Sequence, residues 1–141
     1  MKKRKVQVVI FYCAKNNIKH FLLLKVNQKR GLFWQNVTGA VDEDEKYKHA
    51  ALREAQEETS IKKINILSMI KTDLKFKFKS RWGKDVKEKV FIIQCKGPWE
   101  IEVDPSEHCD YKWVSQNDLY EDIVHYETNY IALQKAMELE C

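Results

Sequence analysis

The stretch Gly39–Ile61, GAVDEDEKYKHAALREAQEETSI, holds seven acidic residues among twenty-three, although the 141-residue chain carries a formal net charge of +4. From about Asp44 to Thr59 it is rich in helix formers and contains neither Gly nor Pro, which predicts a helix. Asp42 and Asp44 are placed to cap its start. Residues three and four apart share a helix face, so Glu54, Glu57 and Glu58 form one carboxylate cluster near the C-terminal end. Like charges at that spacing cost roughly 0.2–0.5 kcal/mol per pair. Negative charge at a helix C-terminus costs about 0.3–1 kcal/mol more, because it opposes the macrodipole. Either solvation or a cation must offset this. One reading is a solvated acidic face beside Arg53 and Lys46. The other is a site for a hard divalent ion such as Mg²⁺, which prefers carboxylates, waters and phosphates. Ala50 and Ala51, one turn earlier, are expected to leave room for a bulky ligand.

Outward from this helix, KVQVVIFYCA and KHFLLLKV read as paired strands buried on both faces, joined by the turn-like KNNI. NQKRGLFWQNVTG reads as a loop with a short strand near Phe33–Val37. After the helix, KINILSMI and LKFKFK are strand-like. In the second, Leu74, Phe76 and Phe78 alternate with Lys75, Lys77 and Lys79, so the lysines line one face. RWGKD is a loop, KVFIIQC a central strand and YKWV a further short strand. Tyr126, Tyr130, Leu133 and Met137 recur at helical spacing and predict a closing helix. Strands, helix, strands, helix is the order of an α/β layered sandwich around a mixed sheet. The expectation is one domain over residues 1–141, without linker or repeat.

With 33% charged and 44% hydrophobic residues, the composition is that of a globular chain, not a disordered or fibrous one. The basic start MKKRK is followed by an apolar run too short for a signal peptide, and a first strand is expected there. No run approaches the ~18–20 apolar residues of a membrane span, so no membrane partner is expected. Cys13, Cys95, Cys109 and Cys141 are scattered without C-x-x-C spacing. That argues against a zinc site or disulfide framework and for a reducing cytoplasm. The mild positive charge suits an anionic ligand.

Spacing decides between the two readings of the acidic helix. From Gly39, five residues lead to Glu45, and seven more lead to Arg53, Glu54, Ala55, Glu57, Glu58 and Ile61. This pattern resembles the signature of the Nudix hydrolases, G-x5-E-x7-R-E-U-x-E-E-x-G-U, with U a bulky aliphatic. Ala55 is small for its position, and Ser60 stands where the family has glycine. Glycine is favoured just past a helix end because a left-handed backbone costs it little. The resemblance implies an α/β/α sandwich and hydrolysis of a diphosphate linkage with Mg²⁺ or Mn²⁺. It implies that Glu54, Glu57 and Glu58 bind metal, that Arg53 and Glu45 orient them, and that the Thr38 carbonyl adds a ligand. One glutamate, or a water it holds, would be the base. Relatives often draw a further glutamate from a loop outside the box, and Glu107 in SEHCDYKW fits that role.

Within the family, FWQNVTGAVDEDE and EHCDYKW most resemble bacterial dihydroneopterin triphosphate pyrophosphohydrolases, which also take dATP and other nucleoside triphosphates. The PGG or PKG lead-in of other subfamilies is absent, and so are the proline of ADP-ribose hydrolases and the tyrosine of dinucleoside polyphosphate hydrolases after the box. The substrate expected is thus a nucleoside or pterin triphosphate, with Trp34 stacking on its ring or else lying in the core. The lysine face with Lys77, followed by Arg81 and Trp82, gives a second reading: phosphates of a 5′-triphosphate RNA. It also has a plain one, an edge strand protected by lysines. Of His20, His49, His108 and His125, His108 alone lies beside a site residue, Glu107. A nucleotide sensor without activity is the alternative of another class. The sequence leaves the oligomeric state open.

Overall fold

The computed structural model describes residues 3–141; Met1 and Lys2 of the basic start lie outside the described residues. The strands are β1 (Lys3–Cys13), β2 (Lys19–Val26), β3 (Trp34–Gln35), β4 (Val37–Ala40), β5 (Ile66–Lys79), β6 (Asp85–Cys95) and β7 (His108–Ser115). The helices are α1 (Tyr47–Thr59) and α2 (Glu127–Met137). All seven strands join one sheet, in the order β3-β2-β1-β6-β5, with β4 also on β1 and β7 also on β2. β1 runs parallel to β6 and antiparallel to β2 and β4, so the sheet is mixed.

β1 is buried on both faces because a helix covers each. Val6, Val8 and Ile10 point to one side, where they pack with Leu22, Phe91, Ile93 and the alanines of α1. Val9 and Phe11 point to the other, against Phe21, Ile92 and Leu133 of α2. This is the expected α/β/α sandwich. No helix among the described residues is long and apolar enough to cross a membrane.

Four local expectations are corrected. Ala50 and Ala51 are fully buried with Ala55 and bring α1 close to the sheet, so they leave no room for a ligand. Helix α1 starts at Tyr47, with Lys46 as an N-cap that makes no side-chain cap. Asp42 and Asp44 do not cap it, because the preceding loop is anchored elsewhere. Arg4 donates to the backbone carbonyls of Asp42, Glu43 and Glu45 at 2.6–2.9 Å. Lys63–Asn65 form a 3-10 turn, and the rest of KINILSMI joins LKFKFK in one strand, β5, with a register irregularity between Lys71 and Lys75 that separates the two patterns. Finally, Cys13 and Cys141 are joined by a disulfide, because the chain beyond α2 returns beside the end of β1. Cys95 and Cys109 are free.

The left-handed residue expected after α1 is present. Ser60 has φ 59° and ψ 20°, and its N–H donates to the Gln56 carbonyl at 2.9 Å.

Candidate active site

α1 and β4 carry the first half of the site. At Gly39 of β4 an added Cβ would overlap the Glu54 side chain, so glycine is what lets Glu54 lie across the strand. Glu54 is 8% exposed and Glu58 only 2%, which puts two carboxylates in a poorly solvated position. Burial raises the Glu54 pKa above its ordinary value, against the pull of Arg53.

Arg53 gathers the acids. Its Nε and Nη2 donate to the two Glu45 oxygens at 2.8 Å each, a paired fork on one carboxylate. Nη2 also donates to the Ala40 carbonyl at 2.9 Å. Nη1 reaches Glu54 Oε1 at 3.0 Å and Glu57 Oε2 at 3.2 Å. The bond from Arg53 holds the Glu45 carboxyl down at about 2, so it remains ionised. Glu45 in turn accepts from the Asp42 N–H at 3.0 Å, which fixes the loop before the helix.

The second half comes from the start of β7. Here Glu58, Glu107 and His108 bring their ligand atoms within 4.8 Å of one another. The Glu107 pKa is pushed up to about 7, first by its hydrogen bond with Glu58, then by burial and the Glu58 charge. His108 is buried, with Nδ1 2.7 Å from Glu58 Oε2. That approach lacks hydrogen-bond alignment, and both atoms are left without a partner. An unsatisfied buried carboxylate oxygen among three further carboxylates is what a hard divalent cation would satisfy. The donor set therefore fits Mg²⁺ or Mn²⁺.

Glu45, Arg53, Glu54 and Glu57 thus meet in one network, and Glu58 and Glu107 in a second cluster coupled to Glu54 by charge. Thr38 lies in β4 next to Gly39. Trp34, Lys77 and Arg81 make no hydrogen bond or ion pair with these acids among the described residues. Trp34 packs on the α2 side, with Lys112 4.2 Å and Lys25 5.8 Å from its ring centroid. Lys77 belongs to β5, and Arg81 lies beside Trp82 in the β5–β6 turn. Two neighbours of the site escaped the sequence reading. Gln35 places Nε2 3.4 Å from His108 Nε2, and Arg30 pairs with Glu107 at 3.5 Å. Neither has a local signal, since both arrive through the pairing of β2 with β3 and β7.

This fold and carboxylate constellation agree with comparison across the chain: the NUDIX domain model matches residues 2–134, and the chain belongs to the Nudix family. Among curated relatives, the RNA pyrophosphohydrolase of a Nitratiruptor species is 31% identical over 103 residues, 67% of this chain. The match spans 64% of that relative's length. An RNA pyrophosphohydrolase of Campylobacter jejuni is 28% identical over 114 residues, 74% of this chain and 73% of that protein. The structure of the E. coli dihydroneopterin triphosphate pyrophosphohydrolase superposes with a TM-score of 0.76 at 24% identity, covering 94% of this chain and 92% of that one. That of the C. elegans Ap4A hydrolase gives 0.75 at 21% identity, covering 96% and 98%. At these identities the two structures speak for the fold.

Proposed function

We propose that residues 1–141 act as one metal-dependent pyrophosphohydrolase domain that cleaves a nucleoside or pterin triphosphate to a monophosphate and pyrophosphate. The observation that carries this reading is the buried Glu58 oxygen, unsatisfied beside Glu107, whose charge also acts on Glu54. Glu54, Glu57, Glu58 and Glu107, with the Thr38 carbonyl, would hold Mg²⁺ or Mn²⁺. Bound there, the ion supplies charge neutralisation of the diphosphate and a more acidic water.

The chain's own residues do the rest. Arg53 fixes Glu54 and Glu57 in one geometry while its other edge is locked to Glu45. Buried Glu54 or exposed Glu57 takes the proton of the attacking water. Arg30, half-exposed beside Glu107, is placed to meet a substrate phosphate. Trp34 is proposed to meet the base or pterin ring. A cytoplasmic nucleotide pool would supply such substrates.

A second substrate is favoured by a specific finding: the curated relatives above are RNA pyrophosphohydrolases, which makes a 5′-triphosphate RNA the alternative. The test is pyrophosphate release with Mg²⁺ from dihydroneopterin triphosphate, the common nucleoside triphosphates, ADP-ribose, a nucleotide sugar and a 5′-triphosphate RNA. Release from the pterin or dATP supports the first reading, and preference for RNA supports the second. Mg²⁺ binding without release from any of them would return the chain to the sensor class.

A further inference from the structure

The β5–β6 hairpin carries a charge pattern that neither the fold nor the glutamates explain. On the face toward α1, Lys75 stands directly opposite Lys89, and Lys77 opposite Lys87. Lys71 and Lys79 extend this row at its two ends. Like charges directly across a strand pair are destabilising. β5 is the edge of the sheet, so lysines there protect against edge pairing. That explanation does not reach Lys87 and Lys89, which lie on β6, inside the sheet. Among the described residues none of the six forms an ion pair with a carboxylate, although Asp85 stands opposite Lys79 at the hairpin end. On the opposite face Leu74 and Phe76 pack toward α2, with buried Glu88 across from Phe76 and no lysine of this row. The lysines are therefore collected on one side.

Two aromatic residues flank the row, one at the hairpin tip and one at the start of α1. Trp82 at the hairpin tip is 68% exposed, with the Arg81 guanidinium 4.2 Å and the Lys3 ammonium 5.8 Å from its ring centroid. An exposed aromatic ring held among cations is a platform for an unstacked base. At the other edge, the Lys89 ammonium sits 4.2 Å from the ring of Tyr47, the first residue of α1. Tyr47 and Glu58 are separated along that helix by about 16 Å, at 1.5 Å rise per residue. A polynucleotide is long enough to reach from the glutamates to the lysines.

We propose that the lysine-faced side of the β5–β6 hairpin, with Trp82 at its tip, docks the phosphate backbone of single-stranded RNA. This deepens the second substrate reading, and rests on it for the direction in which the strand runs toward the glutamates. Single-stranded rather than duplex RNA follows from Trp82, because bases in a duplex are already stacked on each other.

The test uses a 3′-labelled, 5′-hydroxyl single-stranded RNA and fluorescence anisotropy without Mg²⁺ over a range of salt. This RNA offers no anhydride, so its binding reports on the lysines alone, and pyrophosphate release from mononucleotides reports on the glutamates alone. Binding should weaken with salt with a logarithmic slope of about −4 if all six lysines engage, at about −0.7 for each phosphate neutralised. Combined Lys75→Gln, Lys79→Gln and Lys87→Gln should lower affinity at least about tenfold and flatten the slope by about 2 units. The same three positions changed to Arg should retain binding. The single change Lys75→Gln, which leaves most of the surface intact, should flatten the slope by about 0.7. Wild-type affinity and slope in the folded triple Gln chain would overturn the proposal. So would equal affinity for duplex RNA, or capture by phosphatidylserine vesicles with no binding of RNA.

Discussion

At the residue scale, the site depends on groups that would be unfavourable alone. Gly39 is one: Gly39→Ala puts a Cβ into the Glu54 side chain. The expected outcome is a displaced Glu54, a stability loss of about 1–3 kcal/mol from overpacking, and at least about tenfold weaker Mg²⁺ binding. Thermal unfolding and calorimetry together check it, and unchanged Mg²⁺ affinity would deny Glu54 its place. Glu107 gives a pH test. Its folded pKa of about 7 lies above the ordinary 4.5, so in the metal-free chain its contribution to stability is present below about 4.5 and lost as pH rises through about 7. A cation requires the ionised form, so Mg²⁺ binding should expel a proton below pH 7 and progressively less above it. Titration calorimetry in two buffers of different ionisation enthalpy would show the proton, and identical heats at pH 6 would contradict the assignment.

At the scale of elements, α1 shows how much of the site was legible in the sequence. Its carboxylate spacing is a local property, and the single cluster it predicts is divided in the structure: Glu54 and Glu57 meet on Arg53, while Glu58 turns to Glu107 and His108 at the start of a distant strand. The left-handed Ser60 followed from its position after the helix for the same reason. What was not legible came from contacts distant in sequence. Arg4 of β1 anchors the loop carbonyls of residues 42–45, and so the acids before α1 do not cap it. The alanines expected to face a ligand face the sheet, because a helix surface is assigned only when its partner is known. Lys46 remains a poor cap with extended backbone at φ −80° and ψ 149°. Lys46→Asp should therefore stabilise the chain by about 1 kcal/mol, through a cap hydrogen bond and a favourable charge at the helix start. Chemical denaturation would measure it, and a loss of stability would show that the loop cannot accept the cap.

At the scale of the whole molecule, the sandwich buries a polar chain through its α2 side. Asn36 donates to Gln7 at 2.7 Å, and Gln7 donates to Glu88 at 2.9 Å; all three are buried. Burial raises the Glu88 pKa, so its ionised form opposes folding above the ordinary carboxylate range. Glu88→Gln keeps an acceptor for Gln7 and removes the charge. It should stabilise the chain at neutral pH by on the order of 1 kcal/mol, with the gain fading as pH falls toward about 4.5 and absent below it, where Glu88 is protonated in both states. The pairing of the first two strands was readable from hydrophobic pattern and a layered sandwich from the order of elements, while a helix on each face was implied by the family resemblance. The Cys13–Cys141 bond was not, because no spacing rule joins residues 128 apart.

The most direct test of the central claim, that these carboxylates form a metal-dependent hydrolytic site, is Mg²⁺-dependent pyrophosphate release by the wild-type chain and by Glu58→Gln under matched conditions. The substrate is whichever member of the panel the wild type turns over best. The wild type should release pyrophosphate, and Glu58→Gln should fall by at least about a hundredfold with the folded circular dichroism spectrum retained. Wild-type turnover by a folded Glu58→Gln chain would contradict the claim.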